Sequence, residues 1–373
     1  MHSKPEIIYC VASPQGDIPV DDTNAHLPLE GDKTKTTYAT YFQVIDKFIA
    51  QEDYLPLLKA INQRYQQSLE LTDIKKIVIR SEKHGAFYHP ASLEIITAKG
   101  KFAFGVNVAT DKSKIIWLKK ECKLLQQLNN EFSFNYLPQV YESRTINGMF
   151  LTLVEWFNGY HEFHLSLDKN QHPQIILWDF KKGYCYLTPA QAFAIYKQVA
   201  YILTLYYKLD TYNQIFPWHH AGGDFIAWIE GNKTDVKLTT VRGYDTIINF
   251  VDHRDINPIF ALLYFFLNLT IRIRLDKFDG VGKIGWIDDF CLKAALSGFV
   301  EALIKKEKEL KTVCQLSWTE FVQLLRSFTL KELTLLFERL LTLYQGKEGY
   351  SLIVQRLNNH IAALYNFIQA YPL

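Results

Sequence analysis

Trp218-His219-His220-Ala221-Gly222-Gly223-Asp224-Phe225-Ile226-Ala227-Trp228, followed by Val236-Lys237-Leu238-Thr239-Thr240-Val241-Arg242, is the stretch on which the reading of this chain turns. Titratable side chains sit on a glycine-flexible turn between apolar stretches, and scaffolds present their chemistry on loops of this kind. The second half, Val236 to Arg242, has the character of a strand.

Working outward, the downstream signal is helical. Thr188-Pro189 puts a capping hydroxyl ahead of a proline at the first helical position, and the helix should run to about Leu209. Asn257-Pro258 opens an apolar helix to Ile271 in the same way, and Ser317-x-x-Glu320 and Thr329-x-x-Glu332 are capping boxes for two more. A last helix covers about Ser351 to Gln369. Beyond residue 160 the pattern is mostly helical, interrupted by the one loop-and-strand element.

Upstream the character changes. Residues 1 to 35 carry scattered prolines, glycines, aspartates and threonines and read as a loosely ordered arm. Helical patterns cover Thr37 to Gln51 and Asp53 to Gln67. Three β-branched or aromatic runs follow, Ile77-Val78-Ile79, Leu93 to Ile96 and Phe102 to Val108, separated by turn-prone stretches as in an antiparallel meander. Thr110 or Asp111 caps a helix to about Asn129, and strands are expected at Gln139 to Tyr141 and Met149 to Val154.

The fold class is therefore α+β. It is expected as a bilobal arrangement, with a small antiparallel β-rich lobe, a larger helical lobe and extra N-terminal helices. Four parts are expected: an arm at 1–35, a helical extension at 36–70, a β-rich lobe at 71–158 and a helical lobe at 159–373. A junction of two such lobes forms a cleft, a favoured place for a ligand.

Composition narrows the classes. Of 373 residues, 48% are hydrophobic and 14% aromatic, which only a folded globular chain sustains. The net charge is +2 and no long lysine or arginine stripe is visible, which argues against a nucleic-acid partner. The five cysteines are scattered without C-x-x-C spacing, so a reducing compartment is expected and neither a zinc site nor a disulfide framework. The longest apolar run, Ile259 to Ile271, is shorter than the roughly 20 residues of a membrane span. A soluble, cytoplasmic protein without a membrane partner is the expectation.

This order, together with a few motifs over residues 74 to 270, resembles the protein-kinase-like superfamily and its aminoglycoside and choline phosphotransferase branch. In that family a helix glutamate pairs with a third-strand lysine and so orients the phosphates. Glu121 stands in that helix, three, four and seven residues from Leu118, Leu125 and Leu128; Asn107 falls where the lysine would be. Lys83 or Lys101 is then the substitute, or Glu121 is a solvated residue at the stripe's edge. The turn Ser81-Glu82-Lys83-His84-Gly85-Ala86-Phe87-Tyr88-His89-Pro90 takes the place of the glycine-rich loop, with its two histidines and lysine available to an anion. The other reading is an ordinary exposed hairpin.

Leu151-Thr152-Leu153-Val154-Glu155-Trp156-Phe157-Asn158-Gly159 looks like the hinge that holds an adenine. His161 and His164 follow at H-x-x-H spacing and read as surface or interface residues. His220 and Asp224 resemble the loop histidine and the aspartate that accepts a substrate proton, with His219 beside them. The metal-binding asparagine expected five residues on is Ile229, and no acid stands between Asp235 and Asp245, so Mg2+ lacks its usual ligands. Arg242 would supply positive charge in its place.

Two functions follow from the resemblance. One is a divergent phosphotransferase that binds ATP or another nucleotide in the cleft and acts on a small hydroxylated or peptide acceptor, with Asp224 as base and Lys83, Glu121, Glu155 and Arg242 serving the nucleotide. The other is a pseudokinase-like protein that binds nucleotide or anion without turnover and acts through a protein partner. A third, structural reading has His219, His220 and Asp224 form a hydrogen-bonded turn that locks the loop. Asp276 to Gly282 reads as a polar turn, and Lys305 to Glu309 as a solvated helix end.

Overall fold

The computed structural model describes residues 4–82, 88–179, 183–219, 223–247 and 257–373. The chain divides into two compact units, one ending at Gly159 and the other made of Tyr160–Asp179 and Tyr184–Leu373.

The first unit is built on β1 (Glu6–Val11), β2 (Ile18–Pro19), α1 (Tyr38–Ile49), α2 (Leu55–Tyr65), β3 (Ile74–Ser81), β4 (His89–Thr97), β5 (Gly100–Ala109), α3 (Lys112–Glu131), β6 (Val140–Ile146) and β7 (Met149–Glu155). Its seven strands form one sheet in the order β2-β1-β3-β4-β5-β7-β6. The meander, helix and strand pair expected from sequence are all present. Period-two alternation divides the sheet's side chains between two faces. Ile77, Ile79, Phe104, Val106, Val108, Leu151 and Leu153 join the α1 and α2 residues Tyr41, Ile45, Phe48 and Leu57 in the main core. Ala109 and Phe150, of opposite parity, join Leu118 of α3 in a smaller cluster.

Residues 1–35, expected as a loose arm, are the main departure. Strand β1 pairs parallel with β3, Glu6 opposite Lys76 through Val11 opposite Ser81, and β2 folds back on it. Parallel pairing joins segments far apart in sequence, so no local pattern announces it. Asp32 anchors the following stretch. It accepts from Thr34 (2.6 Å), the Thr36 N–H (2.9 Å) and Thr110 (2.9 Å), and faces His89 Nε2 at 3.5 Å. Burial raises its carboxyl pKa, but these hydrogen bonds outweigh that and hold it well below the usual range.

The second unit contains β8 (His161–Leu167), β9 (Pro173–Asp179), β10 (Gly183–Tyr186), α4 (Pro189–Leu205), β11 (Gln214–Ile215), β12 (Phe225–Glu230), β13 (Lys233–Leu238), β14 (Tyr244–Asp245), α5 (Pro258–Arg272), β15 (Leu275–Lys277), β16 (Ile284–Trp286), α6 (Phe290–Lys305), α7 (Glu307–Cys314), α8 (Trp318–Ser327), α9 (Leu330–Leu340) and α10 (Tyr350–Ala370). The mostly helical expectation after residue 160 missed β8, β9 and β10, which form a five-stranded sheet with β12 and β13 in the order β10-β9-β8-β12-β13.

The helix starts follow their caps. Thr188, Ser317 and Thr329 each close a capping box, and Asn257 accepts from the Ile259 N–H. Lys306 corrects the solvated-end reading of 305 to 309. Its ammonium is buried, donates to the carbonyls of Leu205 and Tyr207, and pairs with Glu309 at 3.3 Å. It thus satisfies carbonyls that the end of α4 leaves without partners. Asp276, at the start of the stretch read as a polar turn, is buried and accepts from the Leu165 N–H at 2.7 Å.

Candidate functional site

The loop between β11 and β12 is closed at its base by the pairing of β11 with β14, Ile215 opposite Tyr244. Gly243 allows this closure: a Cβ there would stand 2.6 Å from the Phe216 carbonyl oxygen. The β12–β13 hairpin, with Phe225 opposite Leu238, then brings the segment after β13 back to the loop's end. The Thr239 N–H donates to Asp224 O (2.7 Å) and the Thr239 hydroxyl to Gly223 O (2.7 Å).

This path delivers Arg242 to Asp224. Nη2 lies 2.6 Å from Oδ1, and Nε lies 3.2 Å from Oδ1 and 3.0 Å from Oδ2, so the fork grips both oxygens. The His219 N–H adds a fourth bond to Oδ2 at 2.8 Å. Asp224 has no solvent exposure. Burial pushes its carboxyl up, and Arg242 and the His219 N–H pull against that.

A second arginine holds the other half of the loop. Arg272, the last residue of α5, donates to the Trp218 carbonyl and stands 3.0 Å from His219 Nδ1, while its Nε is buried without a hydrogen-bond partner. Desolvation first, and then the charges of Arg272, Arg242 and Lys277, hold the His219 pKa down to about 3. That imidazole is therefore neutral at pH 7, and its Nδ1 accepts from Arg272. The region is rich in guanidinium, with Asp224 as its buried counter-charge.

Of the residues singled out by sequence, the structure brings together His219, Asp224 and Arg242. His220 and Lys83 lie outside the described residues, as do the Lys83 to Phe87 positions of the turn. His89, counted there as available to an anion, is buried against Asp32. Lys101 pairs with Glu94 at 3.0 Å on the surface, so it is not the substitute partner for Glu121. Glu121 itself is 8% exposed, which removes the solvated alternative. Glu155 is clamped within its own unit: Arg64 of α2 reaches its Oε1 at 3.2 Å and the Gln139 N–H its Oε2 at 3.3 Å. Arg64 also takes the Trp156 carbonyl at 2.9 Å. The Trp156 ring covers Gly105, where a Cβ would meet it at 3.1 Å.

Sequence reasoning passed over Glu162. Its carboxylate lies against Gly223, so close that a Cβ there would be 2.4 Å from Oε1, and it meets the buried His164 Nε2 at 3.2 Å. Gly223 has φ +65 and Gly280, against the His164 ring, has φ +75. The alternation of Glu162, His164 and Ser166 with Phe163 and Leu165 was the available strand signal. His164 is thus buried in β8, not at the surface.

Among the described residues there is no group of three or more His, Cys, Asp or Glu able to hold a metal ion. The loop does not fit Mg2+: the guanidinium of Arg242 occupies the oxygens of Asp224, and a divalent ion needs carboxylate or other oxygen ligands. No helix among the described residues is long and apolar enough to cross a membrane.

No protein-family model matches the chain, and neither does any curated protein. Among solved structures it is similar to a Plasmodium kinase domain, at 11% identity and a TM-score of 0.27, covering 79% of this chain and 85% of that one. It is also similar to a Haemophilus somnus protein assigned as a fructosamine-3-kinase, at 12% identity and a TM-score of 0.26, covering 82% and 96%. Superpositions this loose leave fold and function to be argued from the chain's own elements.

Proposed function

We propose that this chain is a kinase-like protein whose Trp218–Arg242 segment binds ATP, another nucleotide or a related phosphate-bearing ligand without turnover, and that it acts through a protein partner. The observation that carries this reading is the Asp224–Arg242 grip. A general base has to reach the proton it removes at hydrogen-bond distance. Asp224 spends both oxygens on a guanidinium and a backbone N–H and has no exposure. The kinase-like part rests on element order: a meander, a helix and two strands, then helices interrupted by one loop and hairpin. The phosphate-binding part rests on two guanidiniums, Arg242 after β13 and Arg272 at the end of α5, that meet at one loop, since the planar guanidinium matches phosphate geometry.

Thermal shift with ATP, ADP and GTP, each with and without Mg2+ or Mn2+, tests binding. We expect a metal-independent stabilisation of roughly 2.7 kcal/mol at about 100 times the dissociation constant. No shift with any nucleotide sinks the reading. Transfer of labelled phosphate to a small hydroxylated or peptide acceptor that vanishes in Asp224→Asn would establish the phosphotransferase instead.

A further inference from the structure

Helix α3 combines two features that a helix serving only its own sheet does not need. Its buried face holds Leu118, Cys122, Leu125 and Leu128. On the opposite side Ile116 is 70% exposed, and at the flank of the buried face Trp117 is 47% exposed. Exposed lysines surround them: Lys112, Lys119, Lys120 and Lys123. Residues three, four, seven and eight apart share a helix face, so Lys112, Ile116, Lys119, Lys120 and Lys123 form one stripe. Lys120 Nζ stands 5.7 Å from the centre of the Trp117 ring.

Among the described residues no carboxylate pairs with Lys112, Lys119, Lys120 or Lys123. The first turn of α3 contains no acidic residue, Glu121 is buried, and Glu131 is the helix's last residue. At the helix start the N-cap carboxylate of Asp111 accepts from the Lys114 N–H and stands 4.0 Å from the Lys114 ammonium, so the only acid at that end is committed to the cap. The helix thus sets four exposed lysines around two exposed apolar side chains.

We infer that this face of α3 docks an acidic, amphipathic segment of a partner protein, its carboxylates meeting the lysines and one or two apolar side chains covering Ile116 and Trp117. Charge complementarity selects this occupant. A lipid surface is disfavoured because α3 has already buried its apolar face on the sheet, leaving outward only two apolar side chains where an interfacial helix inserts a full face. The inference is independent of nucleotide binding, which concerns the second unit.

The test is fluorescence polarisation of the full chain with a labelled helical peptide of about 15 residues, carrying glutamates on one face and leucines at i, i+3 and i+4. We expect saturable binding that weakens at least about tenfold in Ile116→Ser/Trp117→Ala and in Lys120→Glu/Lys123→Glu, and that falls as salt rises from about 0.05 to 0.5 M. All these positions are exposed, so the melting temperature and any nucleotide shift should remain as in the parent. Absence of saturable binding, or binding indifferent to both double variants, overturns the inference. So does Trp117-dependent binding to vesicles of anionic phospholipid or to a single-stranded oligonucleotide that exceeds binding to the peptide.

Discussion

A carboxylate removed from solvent has to be answered by a cation, and at Asp224 the answer is Arg242. Removing one partner of such a pair leaves a buried charge, so Arg242→Ala should destabilise the protein by about 3–5 kcal/mol. Asp224→Leu/Arg242→Met should recover much of that, a coupling that a double-mutant cycle by urea unfolding measures. If the double variant is as weak as the sum of the singles, the pair is not the loop's fastener. Gly223→Ala, at φ +65 and against Glu162, should cost about 1–3 kcal/mol in the same assay. Sequence marked Asp224 and Arg242 separately, as base and as charge donor. That they are partners depends on the β12–β13 register, which is tertiary information, and Glu162 was hidden because its strand was not recognised.

Elements that announce themselves by local chemistry were legible. The Thr-Pro and Asn-Pro starts of α4 and α5, and the capping boxes of α8 and α9, are encoded within four residues of each helix start. Thr329→Ala should therefore cost about 1 kcal/mol, read from the unfolding midpoint. Lys306 was misread because a lysine in a charged run is ordinarily solvated, whereas this one closes α4 from the junction of α6 and α7. Lys306→Ala should lose about 1–3 kcal/mol by leaving the Leu205 and Tyr207 carbonyls unanswered. Retained full stability would show that water replaces it.

At the scale of the whole molecule, acid should act through buried imidazole. His360 lies between the Trp286 and Phe337 rings, with Nε2 3.2 Å from the Thr270 hydroxyl. Burial holds its pKa well below the ordinary value of 6.5, with Arg274 adding to the effect. The folded state thus binds fewer protons than the unfolded one. The stability this contributes is complete above about pH 6.5 and falls as pH drops below it, by up to about 1.4 kcal/mol per pH unit. Thr270 also donates to the Leu267 carbonyl at 2.7 Å, so His360→Phe leaves it bonded. That variant should have a flatter stability profile between about pH 6.5 and 4.5; an unchanged slope would assign the acid sensitivity elsewhere. The parallel seam between β1 and β3 carries a consequence for synthesis. Strand β1 leaves the ribosome long before β3, so it waits unpaired while much of the first unit is made. Without β1, the Ile74–Ser81 strand, rich in isoleucine and valine, would present a row of open backbone donors and acceptors. A chain nicked between β2 and α1 that loses its first strand should associate edge to edge, with β3 as the adhesive margin.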